Sequence, residues 1–161
     1  MTRHNEVRDV IRDWIREQGC DAWIEQNVPK WDRTSATGPD RAVLDVAYQD
    51  PHNGETVYLD VSVVAGQVSA ADGQDRAILR RERAKHTRYP GAGLIPFVMD
   101  IRGKWGREAA AWARGLARTC GISEAGTQLQ ALRYRVSTVL QRAAAEQILR
   151  CGLVAGGRYG S

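Results

Sequence analysis

The sequence predicts an α/β fold in which helices flank a mixed β-sheet, with the elements in the order αβββαβαα. Two observations support this prediction. Residues 5–19 have the apolar spacing of an amphipathic helix, and three later segments rich in β-branched residues alternate with basic or alanine-rich helical segments. Strands and helices mixed within 161 residues indicate one sheet covered on both faces.

The first helix is predicted over residues 5–19, where Asn5 is a suitable N-cap and Gly19 a suitable stop. Its apolar stripe consists of Val7, Val10, Ile11, Trp14 and Ile15. Arg8, Arg12 and Arg16 recur every four residues on another face. A solvated face is the favoured interpretation of these arginines, and phosphate contacts are the alternative.

Three strands are predicted next, of which the first covers residues 20–28 and ends at Pro29. Residues 30–40 are polar and are predicted as a loop, and residues 41–49 as the second strand. Asn53-Gly54 is a favoured turn sequence, so a hairpin joins the second strand to a third over residues 56–66.

The second half of the chain predicts three helices and one strand. Residues 67–73 are small and loose, and residues 74–88 form a basic helix that ends before Pro90-Gly91. Residues 94–101 are apolar enough for a central strand, and residues 103–119 and 124–151 are predicted as closing helices. We therefore expect a single domain over residues 1–152 and a flexible tail over residues 153–161.

Composition limits the class of protein without identifying it. The hydrophobic content of 43% and the charged content of 26% are typical of a globular protein, and the net charge of +4 permits a polyanionic partner. Three distant cysteines lack zinc-site spacing. The charged start and the lack of a long apolar run predict an intracellular protein, nuclear or cytoplasmic, without a membrane segment.

Asp60 stands in the middle of an apolar strand, where an unpaired carboxylate is costly. Asp45 interrupts the preceding strand in the same way, so the hairpin would place two carboxylates close together. Such a pair is unfavourable without a cation, and Mg²⁺ suits carboxylate and carbonyl oxygens. The alternative is that one acid faces solvent or an arginine.

The basic helix offers a cation for this pair. Lys85, with Arg81 one turn earlier, would project over the strand ends, although a surface salt bridge to Glu82 is the alternative for Lys85. Glu6 and Glu25 are further candidate acids, each more typical of a solvated or capping carboxylate. His4 or His86 could approach the site, although a surface or packing role is the favoured interpretation of both.

These stretches resemble the PD-(D/E)xK restriction-endonuclease-like superfamily. More narrowly, they resemble the restriction-like endonuclease domain of site-specific non-LTR retrotransposons. The resemblance covers residues 3–151 and is carried by RHNEVRD, RAVLDV, YLDVSVV, RERAKHTRYPG and IPFVMDIRGKWGREA.

The resemblance implies that Asp45 and Asp60 bind Mg²⁺ or Mn²⁺, with the backbone carbonyl of Val61 completing the coordination. Ser62 stands where the superfamily usually has lysine. The family resemblance instead assigns that role to Lys85 on the next helix, followed by Tyr89. Asp40, in the literal Pro39-Asp40 pair, competes with Asp45 for the first ligand position; Asp45 is preferred because it lies inside a strand.

The function implied by the resemblance is a metal-dependent endonuclease that nicks DNA, with Arg8, Arg12, Arg81 and Arg88 contacting phosphates. Such a domain would belong to a larger retroelement protein, and related enzymes often form homodimers. The alternative, supported by Ser62, is a catalytically inactive nucleic-acid-binding or structural relic of the same fold. A third interpretation is that the arginines form an ordinary surface that binds no nucleic acid.

Overall fold

A computed structural model describes residues 2–65, 70–121 and 124–156 of the chain. Within these residues, helices flank a four-stranded mixed sheet, which confirms the predicted α/β class. The elements are α1 (Arg3–Glu17), β1 (Ala22–Asn27), β2 (Arg33–Ser35), β3 (Gly38–Asp40), β4 (Val43–Gln49), β5 (Thr56–Val64), α2 (Ala70–Arg88), β6 (Leu94–Asp100), α3 (Arg107–Cys120) and α4 (Ala125–Gly156).

The sheet has the strand order β1-β4-β5-β6. β4 pairs antiparallel with both β1 and β5, and the predicted hairpin is confirmed, with Gly54 at φ 70° in its turn. β5 and β6 are parallel and are joined through α2, as parallel strands require a crossover. β6 is therefore an edge strand rather than the central strand predicted from its apolar sequence.

The apolar sequence of β6 is explained by what covers its edge. The backbone N–H of Gly106 donates to the carbonyl of Val98 at 2.8 Å, and Met99 forms a bridge with Trp105. The segment around Trp105 and Gly106 thus shields the edge of β6 from solvent, so this strand can be apolar without being central.

Alternating residues of β5 separate the two faces of the sheet. Leu59 and Val61 join the main core, which also contains Ile11 of α1 and Trp112 of α3. On the other face, Val64 packs with Ile78 of α2. This alternation directs the side chain of Asp60 toward α2.

Several predicted boundaries are wrong. Residues 30–40 are not a loop throughout. A 3₁₀ turn at Pro29–Trp31 leads into the β2–β3 hairpin, which adds two strands to the predicted order. The N-cap of α1 is Thr2, whose Oγ1 accepts the N–H of Asn5 at 3.4 Å.

The loose segment and the tail are shorter than predicted. α2 already begins at Ala70, so residues 70–73 are helical, and residues 66–69 lie outside the described part of the chain. α4 extends to Gly156, so residues 153–156 are helical, and residues 157–161 lie outside the described part. None of the described helices is both long and apolar enough to cross a membrane.

Candidate active site

The β4–β5 hairpin brings Asp45 and Asp60 to neighbouring positions. The ladder pairs Val46 with Leu59, and one further step in this register places Asp45 opposite Asp60. At this step the Oδ2 atom of Asp45 accepts the backbone N–H of Val61 at 2.7 Å. A side chain thus replaces the strand-to-strand hydrogen bond where the two acids meet.

The two carboxylates lie in a poorly solvated environment. Asp60 is only 7% exposed, and the side chain of Asp45 is mostly buried. Burial and then the nearby charge of Asp60 raise the pKa of Asp45 to about 6. The arrangement therefore opposes two negative charges on Asp45 and Asp60 unless a cation compensates them.

Lys85 supplies one such cation from α2. Its Nζ lies 2.8 Å from Oδ2 of Asp60, on the helix face that also carries Ile78, Glu82 and Tyr89. The pair is an ion contact without hydrogen-bond geometry, so among the described residues Oδ2 of Asp60 is buried and lacks a hydrogen-bond partner. This oxygen retains the capacity to bind a further ligand.

Glu82 is not the surface partner of Lys85 that the alternative interpretation required. It is 4% exposed, and its carboxylate faces the start of α3. Burial and then the charge of Glu108 raise the pKa of Glu82, whereas a hydrogen bond to the backbone of Glu108 acts in the opposite direction. Gly106 provides no side-chain cap for α3. Glu82 accepts the backbone N–H of Glu108 in the first turn, while its Oε1 lacks a hydrogen-bond partner among the described residues.

His4 contacts this cluster, as the less favoured interpretation of it allowed, while 42% of its side chain remains exposed. Its Nε2 lies 3.2 Å from Oδ2 of Asp45, and its ring is also within hydrogen-bonding reach of the Val61 backbone. Burial alone would lower the pKa of His4, but the charge of Asp45 and hydrogen bonds to Asn5, Asp45 and Val61 raise it. The signal available in the sequence was its place in the first turn of an amphipathic helix.

The contact to His4 also defines the position of the Val61 main chain. Both the N–H and the carbonyl of Val61 face the side of β5 where Asp45 lies. The carbonyl predicted as a metal ligand is therefore adjacent to the carboxylates.

Ser62 and Tyr89 border the cluster. Ser62 is buried two residues beyond Asp60 and lies opposite Val98 in the parallel ladder. Tyr89 is half-buried and packs on the ring of Trp31 with 5.5 Å between ring centroids. Burial and then the charge of Asp60 raise the pKa of Tyr89.

Three other candidate acids bind arginines elsewhere. Glu6 contacts Arg142 of α4 at 2.6 Å, Glu25 contacts Arg8 at 2.6 Å, and Asp40 contacts Arg88 at 3.1 Å. Of the two acids considered for the first ligand position, Asp45 therefore lies beside Asp60, whereas Asp40 is paired with Arg88.

The arginines of α1 form the predicted solvated face only in part, because Arg16 is exposed and Arg12 partly so, whereas Arg8 is buried. Arg8 is 7% exposed and is bound by Asp9 and Glu25, so it is not available to a phosphate. Arg12 contacts Asp13 at 2.9 Å and Asp9 at 3.7 Å.

Arg88 and Arg81 of α2 differ in the same respect. Arg88 donates to the carbonyl of Trp31 at 2.6 Å as well as binding Asp40, which occupies its guanidinium. Arg81 is exposed and, with Arg80, lines a cleft of about 430 Å³ beside Val63 and Val64 at the end of β5. The cleft is one to two turns of α2 from Lys85.

The donor set beside Asp60 fits a hard divalent cation. Two carboxylates and one main-chain carbonyl are oxygen ligands of the kind Mg²⁺ and Mn²⁺ prefer, and Oδ2 of Asp60 lacks a hydrogen bond within the described chain. Among the described residues, no three His, Cys, Asp or Glu side chains converge as a preformed cage. Water and substrate oxygens would therefore complete the coordination. No protein-family model and no curated protein sequence matches this chain.

Proposed function

We propose that this chain is a divalent-metal-dependent DNA endonuclease that hydrolyses phosphodiester bonds and nicks its target. The observation that carries the proposal is the cluster of Asp45, Asp60 and Lys85. Two acids oppose each other at a point where backbone pairing stops, and a lysine from another element reaches one of them. The resemblance to restriction-like endonucleases supports the same residues.

Asp45, Asp60 and the Val61 carbonyl would hold the metal ion. When bound, Mg²⁺ or Mn²⁺ polarises the scissile phosphate and lowers the pKa of a coordinated water. The carboxylates need that positive charge, because burial and mutual repulsion already raise the pKa of Asp45 to about 6.

The protein's own groups have separate tasks. Lys85 is half-buried beside Asp60 and stabilises the negative charge that develops on the phosphate. His4 and the Val61 N–H both hold Oδ2 of Asp45, at 3.2 Å and 2.7 Å. Three fixed partners thus determine the orientation of the two acids before DNA binds.

The exposed arginines of α2 would bind the DNA backbone. Arg80 and Arg81 line a cleft close to the acids, whereas Arg8 is buried and committed to Glu25. Contacts of arginine to phosphate give affinity that falls with salt and carries little sequence information.

The retrotransposon origin follows from the resemblance alone. In that setting the domain acts within a larger retroelement protein in the nucleus or cytoplasm, and a homodimer would cut both strands. Site choice would then depend largely on other parts of the protein.

One observation favours the second candidate function, an inactive nucleic-acid-binding or structural relic. Lys85 already neutralises Asp60 without any metal, as a structural ion pair would. The two functions differ in the effect of metal: a nuclease requires it, whereas a relic binds DNA, if at all, independently of it.

The experiment is nicking of supercoiled plasmid with Mg²⁺, Mn²⁺ or EDTA. We expect metal-dependent open circles from the wild type, and at least 100-fold less from Asp60→Asn or Lys85→Met. Asp21→Asn, at an exposed position, is the matched control and should retain activity. Equal nicking by all four proteins, or none by the wild type, would refute the nuclease.

A further inference from the structure

The β2–β3 hairpin (Arg33–Ser35 and Gly38–Asp40) contributes almost nothing to the core. All three residues of β2 are exposed, and in β3 only Gly38 is partly buried. An isolated two-stranded ribbon is marginal in water. Something other than apolar burial must therefore hold this hairpin in place.

Polar contacts fix the base of the ribbon. Oδ1 of Asp32 accepts the backbone N–H of Ala42 at 2.7 Å and the Nδ2 of Asn27 at 3.1 Å, which closes the base. Arg88 also binds the carboxylate of Asp40 in β3 and the carbonyl of Trp31, which precedes β2. These contacts position a ribbon that has no packing role.

The anchor of the ribbon is also the neighbour of the active site. Arg88 lies one turn after Lys85 on α2, and Lys85 contacts Asp60. Burial and then the charge of Asp60 raise the pKa of Tyr89, and the charges of Asp45 and Asp40 add smaller contributions in the same direction.

The exposed part of the ribbon is narrow, polar and braced. Ser35 Oγ donates to the Gly38 carbonyl at 2.8 Å and lies 3.0 Å from the Thr37 hydroxyl. Thr34 and Ala36 are exposed and have small side chains. Exposed Lys30, Arg33 and Arg41 surround the base, where Lys30 donates to the Ala92 carbonyl and Arg33 to the Arg88 carbonyl, each at 3.3 Å. Asp40 is neutralised by Arg88, so the ribbon presents positive charge and hydroxyl groups.

We propose that the β2–β3 hairpin inserts into the major groove of double-stranded DNA and holds the duplex beside Asp45 and Asp60. A two-stranded ribbon matches the width of that groove, and hydroxyl and guanidinium groups bind base edges and phosphates. This inference rests on the proposed function, since it names the duplex as the form of substrate.

The test adds negative charge to the ribbon. The ribbon variant, Thr34→Glu/Ala36→Glu, changes two exposed side chains that make no hydrogen bond in the described structure. The control variant, Thr127→Glu/Gln130→Glu, adds the same charge at exposed positions of α4, near the C-terminal end of α1. Binding to a fluorescent duplex and to its single strand is measured by anisotropy in Ca²⁺ and in EDTA. Thermal unfolding of both variants shows whether they fold.

At low salt, we expect the ribbon variant to bind the duplex about 10-fold more weakly than wild type and the single strand less than 2-fold more weakly. The control variant should lose less than 2-fold in affinity for either DNA. Equal losses for duplex and single strand, no loss, or absence of duplex binding by the wild type would overturn the proposal. Because these assays need no cleavage, an inactive protein with ribbon-dependent duplex binding would refute the nuclease and retain the ribbon.

Discussion

The Nζ atom of Lys85 lies 2.8 Å from Oδ2 of Asp60, so α2 provides the cation for a carboxylate buried in β5. Removal of one partner of such a pair leaves an uncompensated charge, which costs more than the pair itself contributes. This relationship makes the stability of the protein sensitive to the site even without metal.

Lys85→Met should therefore destabilise the protein in EDTA at pH 7.5 by about 2 kcal/mol, since Asp60 is buried and Lys85 is only partly solvated. Asp60→Asn in the same chain should recover most of that loss. Urea unfolding measures the cycle, with Arg83→Met at an exposed α2 position as the control. Additive losses in the double variant would contradict the ion pair.

Asp45 predicts a pH dependence of known sign. The pKa of Asp45 in the folded state is raised to about 6, so the folded protein binds this proton more tightly than the unfolded chain does. The resulting contribution to the free energy of unfolding is complete below about pH 4 and is lost as the pH rises through 6. Asp45→Asn carries no charge and keeps an acceptor for the Val61 N–H. The variant should therefore be more stable than wild type at pH 7.5 in EDTA, by about 2 kcal/mol.

This advantage should shrink toward pH 4, where the carboxyl of wild-type Asp45 is protonated and both proteins are therefore uncharged at position 45. Thermal unfolding across pH 4–8 measures the crossover. Added Mg²⁺ should raise the melting temperature of the wild type but not that of Asp45→Asn. A variant less stable than wild type at pH 7.5 would show that the charge of Asp45 is already compensated.

Arg8 and Arg81 should separate stability from DNA binding. Arg8→Met removes a buried guanidinium from Asp9 and Glu25 and should cost about 2 kcal/mol of unfolding free energy. Arg81→Met should leave stability within about 0.5 kcal/mol but reduce the salt dependence of DNA binding by about one phosphate contact. If Arg8→Met instead reduced DNA binding without a loss of stability, α1 rather than α2 would contact the DNA.

Gly106 should be intolerant of a methyl group. A Cβ there would lie 2.1 Å from Oε1 of Glu82 and 2.9 Å from Cγ2 of Ile78. Gly106→Ala should therefore destabilise by about 2 kcal/mol, and Glu82→Ala in the same chain should relieve part of the clash. Gly115→Ala, in the interior of α3 with open space around it, should instead stabilise by about 0.5–1 kcal/mol. Equal effects of the two substitutions would refute the close contact.

Local patterns were sufficient for much of the fold. The apolar stripe of α1 and the Asn53-Gly54 turn identify the first helix and the central hairpin, because each depends on residues close in sequence. The same hairpin brings Asp45 and Asp60 to neighbouring positions. The edge position of β6 was not predictable, since the cover near Trp105 is a tertiary contact.

Features that depend on distant contacts were missed for a common reason. The β2–β3 hairpin has no apolar alternation and is held by Arg88, 48 residues after Asp40. The burial of Arg8 depends on its ion pair with Glu25 in β1. Glu25 has a positive φ of 54°, a conformation that the sequence would indicate only if the residue were glycine. His4 reaches Asp45 only because the N-terminus of α1 lies against the sheet.

The β4–β5 ladder ends one pair before the acids, and this gives the site a place in the order of folding. In a hairpin that closes from its turn, pairs such as Tyr48 with Val57 form before Val46 meets Leu59. A slip of one residue would turn Asp60 to the opposite face of the sheet. The chemistry proposed for Asp45 and Asp60 therefore requires a chain whose hairpin has paired completely and in register.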